Sequence, residues 1–201
     1  MRSNRLITTA LLLLAVFTLA TAPAFAVAVG AAAPAFSLKG VDGKTHSLAD
    51  YKGKVVVLEW INPLCPFSDR HAREKTMSEL SKKHGSQVVW LGINSTSKSH
   101  DNFLPPAEHA AYNQKTGINY AVLYDETGKV GKAYDAKTTP HLFIIDEQGK
   151  VAYNGAIDDD PSGRKAKAER VNYVDGGLMA EKAGKKIDPA STKPYGCSIK
   201  Y

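Results

Sequence analysis

Apolar positions along this chain gather into short, nearly continuous runs, with polar and glycine- or proline-marked stretches between them. Val55-Val56-Val57-Leu58-Glu59-Trp60 and Val88-Val89-Trp90-Leu91-Gly92-Ile93 are apolar at almost every position, the pattern of central strands covered on both faces. Residues 120–124 and His141-Leu142-Phe143-Ile144-Ile145-Asp146 read as two further strands. Glu147-Gln148-Gly149 turns the second of these into Lys150-Val151-Ala152-Tyr153, a hairpin. Earlier, Asp42-Gly43 lies between Phe36-Ser37-Leu38 and Leu48, which predicts a small hairpin ahead of the lead-in Tyr51-Lys52-Gly53-Lys54.

Helical signals fill the gaps. Pro66 suits a first helical position, where its missing N–H costs nothing, and the helix it opens is expected to run to about Lys83. Met77 and Leu80 share one side of it, with Phe67 near the same face, and His84-Gly85 ends it. Pro105-Pro106 starts a second helix, stopped after Thr116 by Gly117, and Val130 and Tyr134 mark a short third. Val171, Val174 and Leu178 suggest a last one, weakened by Gly176-Gly177 at about 1 kcal/mol each relative to alanine. Residues 158–163 form a loop by composition, and the tail Lys193-Pro194-Tyr195-Gly196-Cys197 has no periodicity. Strands alternating with helices and closed by a hairpin argue an α/β fold, a central mixed sheet flanked by helices.

The first residues change the picture of where the protein works. Arg2 and Arg5 precede a charge-free apolar run, and Ala24-Phe25-Ala26 supplies the small residues a signal peptidase reads. Residues 1–26 therefore read as a signal peptide, with an uncleaved membrane anchor as the alternative. The signal-peptide reading implies export across the inner membrane, to the periplasm, with no stable membrane insertion after cleavage. The domain expected beyond it spans residues 27–156, with residues 157–201 forming a helix and a cysteine-containing tail packed on the same domain. Cleavage removes two arginines and no acid, taking the net charge from +6 to +4. The positive charges are scattered rather than gathered in a stripe, which argues against a nucleic-acid partner. A hydrophobic content of 43% with 23% charged residues fits a soluble globular chain.

Two cysteines, Cys65 and Cys197, remain after cleavage. One bridge at most cannot staple a chain of this length, so stability must come from a core. Cys65 falls where a strand ends and a helix begins. Unsatisfied first-turn N–H groups and the helix dipole favour an anion there, which points to a reactive thiolate rather than an inert buried thiol. Arg70 and Arg73 lie farther along that helix and could add positive potential. The histidines give no metal-ligand spacing: His71 and His141 flank the candidate site, whereas His46, His84, His100 and His109 are expected to be solvated. The reading therefore calls for no metal and no cofactor.

Gly30-x-x-Ala33-Pro34-x-Phe36-x-Leu38, Asp42-Gly43-Lys44 and Ser47-Leu48-x-x-Tyr51-Lys52-Gly53-Lys54 resemble the opening of thioredoxin-like redoxins. That group includes the alkyl hydroperoxide reductase/thiol-specific antioxidant proteins and their peroxiredoxin-like relatives. The resemblance continues through Val55–Trp60, Asn62-Pro63-x-Cys65-Pro66-Phe67 and Thr139-Pro140-His141, and ends with Gly196-Cys197-Ser198-Ile199-Lys200. It implies a thioredoxin-like fold with an N-terminal β-hairpin and a C-terminal extension. It also implies that Cys65 is the redox-active cysteine and Pro140 a cis-proline packed against it. Pro66, Phe67, Thr139 and Pro140 then shape the surface where a partner's extended segment docks. Glu59 matches the buried acidic position that helps move protons in thioredoxins; the alternative for it is a strand-end carboxylate reaching solvent.

The departures from the family pattern matter as much. Thioredoxin-type exchange uses C-x-x-C, and here the stretch is Cys65-Pro66-Phe67-Ser68, whose serine could at most donate a hydrogen bond to the sulfur. Asp69 stands where a C-x-x-x-C copper-chaperone redoxin has its second cysteine. Peroxidatic sites carry a threonine or serine three residues before the cysteine, a proline seven before, and a later arginine. This chain has Asn62 and Leu58 there, and no arginine between Arg73 and Arg164. Cys197 could resolve a mixed disulfide if a flexible tail brings it to Cys65; the alternatives are a structural clip and a lone surface thiol. Three functions follow as expectations. The first is thiol–disulfide exchange with partner protein or small thiols, the second peroxide reduction, the third a non-catalytic binding module.

Overall fold

The structure is a computed structural model that describes residues 27–201. The expected leader, residues 1–26, lies outside the described residues. In chain order the strands are β1 (Ser37–Gly40), β2 (Thr45–Ser47), β3 (Val55–Trp60), β4 (Val88–Asn94), β5 (Ala121–Tyr124), β6 (Thr138–Thr139), β7 (His141–Ile145), β8 (Val151–Gly155) and β9 (Cys197–Ser198). The α-helices are α1 (Pro66–Arg73), α2 (Thr76–His84), α3 (Pro106–Thr116), α4 (Lys129–Ala133) and α5 (Tyr173–Lys182).

Among the described residues a seven-stranded sheet runs in the order β2-β1-β5-β4-β3-β7-β8. β3, β4 and β5 are parallel, and the β1–β2 hairpin and the β7–β8 hairpin add antiparallel edges, so the sheet is mixed. The apolar runs alternate between two cores because successive side chains of a strand point to opposite faces. Val56, Leu58 and Trp60 of β3 join Ile93, Phe143, Val130 and Tyr134 on one face. Val57 joins Met77 and Leu80 of α2, and Val174 and Leu178 of α5, on the other. Trp60, Tyr134 and Phe143 form a fully buried aromatic triangle with centroids 5.2–5.3 Å apart. Such contacts add about 0.5–1.5 kcal/mol each beyond burial.

One expected helix is two. The chain leaves α1 after Arg73, and Lys75 takes a left-handed conformation (φ 58°) before α2 begins. Met77 and Leu80 still reach the core because α2 restarts with them facing the sheet. Gly85, at φ 64°, caps α2 in a conformation that a side chain disfavours. At the far end Asn172 caps α5, its side-chain oxygen accepting from the Asp175 N–H at 2.9 Å. Asn172→Ala strands that donor and is expected to cost about 1 kcal/mol in denaturant unfolding without changing the slope of the transition.

The tail is also more ordered than its composition suggests. Cys197 pairs with Thr139 and Ser198 with Thr138, forming a second, two-stranded sheet. Ser97 N–H donates to the Lys200 carbonyl at 2.7 Å, and the Tyr201 hydroxyl to the Ala136 carbonyl at 2.8 Å. The tail is held against β6 by strand register rather than left as a flexible end.

Candidate active site

Cys65 lies at the N-cap of α1, with Pro66 as the first helical residue. Asn62 fixes the loop before it. Its side-chain nitrogen donates to Thr96 Oγ1 (2.8 Å) and to the Asn102 carbonyl (3.2 Å), and its side-chain oxygen accepts from the Leu64 N–H (2.8 Å). The Cys65 N–H then donates to the Asn62 carbonyl at 3.0 Å. From across the sheet comes Thr139, whose carbonyl accepts from Cys65 Sγ at 2.9 Å. The Thr139–Pro140 peptide bond is cis.

Both thiols are free, and their environments pull them apart. Burial works against ionising Cys65, but Cys197, Thr139 and the backbone of Ser68 and Cys197 outweigh it, so this thiol is held below its ordinary value. Cys197 is pushed up to about 11, first by burial and then by its contact with the charge on Cys65. The two thiols are thus shifted in opposite directions, Cys65 down and Cys197 up.

The arginines are spent elsewhere. Arg73 pairs with Asp69 at 2.6 Å, and Arg70 donates to the Asp160 carbonyl (2.9 Å) and to Tyr195 (3.3 Å). Ser68 offers the sulfur its backbone, while its hydroxyl faces the Asn62 N–H at 3.5 Å. Pro66 is exposed and Phe67 half-buried, the latter packing against Tyr195 with ring centroids 6.1 Å apart. Thr139 and Pro140, expected at an open docking surface, are both buried.

Glu59 is buried, 3% exposed, and its carboxylate accepts from the Tyr120 hydroxyl at 2.6 Å. Burial lifts its carboxyl to about 7, the tyrosine bond opposing this only in part. It lines a narrow cleft with His71 and Ala72 of α1, the helix that Cys65 caps.

The histidines are less solvated than their sequence surroundings suggest. His109 is fully buried against the Tyr124 hydroxyl (3.0 Å), and His84 is held by Asp175 (2.9 Å). Both nitrogens of His141 are occupied, one by the Lys137 N–H (3.1 Å), the other by Asn154 Oδ1 (2.7 Å), and burial lowers its value to about 4. His71 lies 3.0 Å from the Tyr195 hydroxyl and 3.2 Å from Thr76 Oγ1. Among the described residues no three His, Cys, Asp or Glu side chains cluster as a metal site would require.

Sequence reasoning passed over Tyr195. Its hydroxyl donates to Asp158, its ring lies under the Arg70 guanidinium at 5.9 Å, and Arg70 and Arg170 in turn face the buried Asp160. This network ties the tail to α1 two residues before Cys197. An aromatic residue two positions before the tail cysteine was the signal for it.

A mixed sheet of this order, helices on both faces and a cysteine at a helix start opposite a proline-led strand define a thioredoxin-like redoxin. The AhpC/TSA family profile matches residues 29–154. The chain is 30% identical over 129 residues to the thiol-disulfide oxidoreductase ResA of Geobacillus thermodenitrificans, covering 63% of this chain and 68% of that one. It is 31% identical over 143 residues to the chloroplastic peroxiredoxin Q of Triticum aestivum, covering 63% and 58%. Among solved structures, an uncharacterized conserved protein from Geobacillus kaustophilus matches with a TM-score of 0.75 at 32% identity, over 87% of this chain and 92% of that one. The chain belongs to the AhpC/TSA family, and it is an oxidoreductase of thioredoxin-like fold.

Proposed function

We propose that this protein is an exported thiol–disulfide oxidoreductase in which Cys65 attacks and Cys197 resolves. The observation that carries the reading is geometric: β9 sets Cys197 opposite Thr139, whose carbonyl accepts from Cys65 Sγ at 2.9 Å, so two free thiols meet at the N-terminus of α1. The relationship to ResA, described as a thiol-disulfide oxidoreductase, supports the same chemistry. Residues 1–26 supply the export signal in this reading. In this reading the C-terminal segment is part of the same domain, which the packing of Val174, Leu178 and Ile187 into one of its cores supports.

The cycle balances with two thiols and one disulfide. The Cys65 thiolate attacks one sulfur of a partner disulfide, that S–S bond breaks, and the released partner thiolate takes a proton. The mixed disulfide removes the negative charge beside Cys197, and with it two of the influences that held that thiol high. Cys197 then loses its proton and attacks Cys65 Sγ, forming the internal disulfide and freeing the second partner thiol. Two electrons pass from the cysteine pair to the partner, and run the other way when the oxidised pair meets a dithiol. Glu59, at about 7, suits the proton traffic because it both gives and takes protons near neutrality.

Peroxide reduction is the weaker reading. The Asn62 side chain is committed to Leu64, Thr96 and Asn102, and Arg70 and Arg73 to other partners, so none of these three side chains is turned toward a peroxide at Cys65. Relatedness to peroxiredoxin Q keeps it in the test. Cys197→Ser, mixed with a model protein disulfide, is expected to accumulate a covalent adduct at Cys65, seen by non-reducing mass spectrometry. No adduct, together with rapid formation of a trappable Cys65 sulfenic acid in peroxide, would overturn the assignment in favour of a peroxidase.

A further inference from the structure

Cys65 is only 2% exposed. A sulfur that must be approached along the axis of a partner's S–S bond cannot react from that position. What closes it is the chain's own tail. β9 lies antiparallel on β6 with Cys197 directly opposite Thr139, the residue whose carbonyl meets Cys65 Sγ. The tail thus presents a cysteine in extended backbone against the strand that precedes the proline.

We propose that residues 197–201 are a strap that occupies the docking place of a partner's extended, cysteine-bearing segment, and that it hinges away at Gly196 to admit one. This rests on Cys65 being the attacking thiol. The occupant is specified by the strap itself: a polypeptide in β conformation that pairs with β6 and brings a sulfur to the position of Cys197. The two ends of the strap are held unequally. On one side Tyr195 is locked by Asp158, Arg70 and His71. On the other, the hold is backbone and apolar contact, without an ion pair among the described residues. Ile199 N–H donates to the Lys137 carbonyl (3.2 Å) and Ser97 N–H to the Lys200 carbonyl (2.7 Å). Tyr201, 41% exposed, donates to the Ala136 carbonyl and rests its ring over Gly128 and Gly131. Between Tyr195 and the strap lies Gly196 at φ 139°, a conformation open to glycine, so close to Thr139 that a Cβ would overlap its carbonyl oxygen. The β9–β6 ladder itself is two residues long, short enough to exchange for a longer incoming strand.

The geometry also joins entry to exit. Strap and partner compete for one strand edge, so return of the strap delivers Cys197 to the mixed disulfide as it displaces the partner's backbone.

The test uses the full chain with Cys197→Ser, so that Cys65 is the reacting thiol, and adds Gly196→Ala or Tyr201→Ala. Each is expected to raise the rate of Cys65 alkylation by iodoacetamide at least five-fold. Each is also expected to raise, by a similar factor, attack on an extended peptide whose cysteine is capped by thionitrobenzoate. In that reaction Cys65 Sγ bonds to the peptide sulfur and thionitrobenzoate leaves as the thiolate that is measured. Amide hydrogen exchange over residues 197–199 reports strap opening, and an unchanged melting profile elsewhere confirms folding. Faster amide exchange with no change in either rate would overturn the strap. So would adduct formation with the peptide while those amides stay protected. Faster alkylation without peptide adduct would leave the strap standing and sink the exchange function instead.

Discussion

Replacing Cys65 with serine is expected to lower the rate of disulfide exchange about 10³-fold or more, to the level of the uncatalysed reaction. A serine hydroxyl at this N-cap would keep its place in the helix, yet it has no accessible anion at neutral pH and cannot form the mixed disulfide. The same variant has a second readout. With the charge at position 65 gone, the Cys197 thiol loses both its hydrogen bond to, and its repulsion from, a neighbouring thiolate, leaving burial as the force that raises it. Its titration should therefore move down from about 11, while the fold, followed by circular dichroism, stays the same. Retained exchange in Cys65→Ser would remove the sulfur from the mechanism. An unmoved Cys197 would show that the two thiols do not sense each other.

Much of this was legible because it depends on long, uniform signals. β3, β4 and β7 announce themselves as apolar runs, and their pairing puts Cys65 at the end of a central strand. The start of α1 is legible for a local reason, a proline directly after the cysteine. The break at Lys75 was not, since Met77 and Leu80 continue the apolar face across it and a lysine carries no mark of a left-handed turn. The pairing of Cys197 was out of reach for a different reason. A two-residue strand has no periodicity to detect, and its partner lies far away in sequence. His109 sits on α3 among alanines and beside Glu108, with no bulky apolar periodicity to mark a buried face, yet is buried because the Tyr124 ring and hydroxyl meet that side of the helix. The acidic loop 158–163 illustrates the same limit. Composition marks it as a loop, but Tyr195 meets Asp158, and Arg70 and Arg170 meet Asp160, and both carboxylates are buried at 2% exposure.

Glu59→Gln should separate the cost of the buried carboxylate from its use. In the folded chain its carboxyl sits at about 7, against an ordinary value of 4.5. The folded state therefore holds this proton more tightly than the unfolded one. The stability it contributes is complete below the unfolded value, falls as pH rises from 4.5 through 7, and stays lost above that. A difference of this size corresponds to about 3 kcal/mol between acid and mildly alkaline solution. Glutamine keeps an oxygen to accept from Tyr120 but does not ionise, so its stability should lack this fall. His71, in the same cleft, is lowered to about 4 by burial and is mostly neutral over the upper part of the window. The new amide N–H₂ needs acceptors the parent did not, which shifts the whole curve down by about 1–3 kcal/mol if none is found. The decisive quantity is thus the difference between the two proteins as a function of pH, from urea unfolding. It should grow in favour of glutamine from pH 4.5 and level off above 7. If the carboxyl also serves the thiols, exchange by Glu59→Gln should slow most near neutrality, where the parent group can both give and take a proton. A flat stability difference would place the carboxylate in contact with solvent, and a flat activity ratio would leave it a cost of the fold that the chemistry does not use.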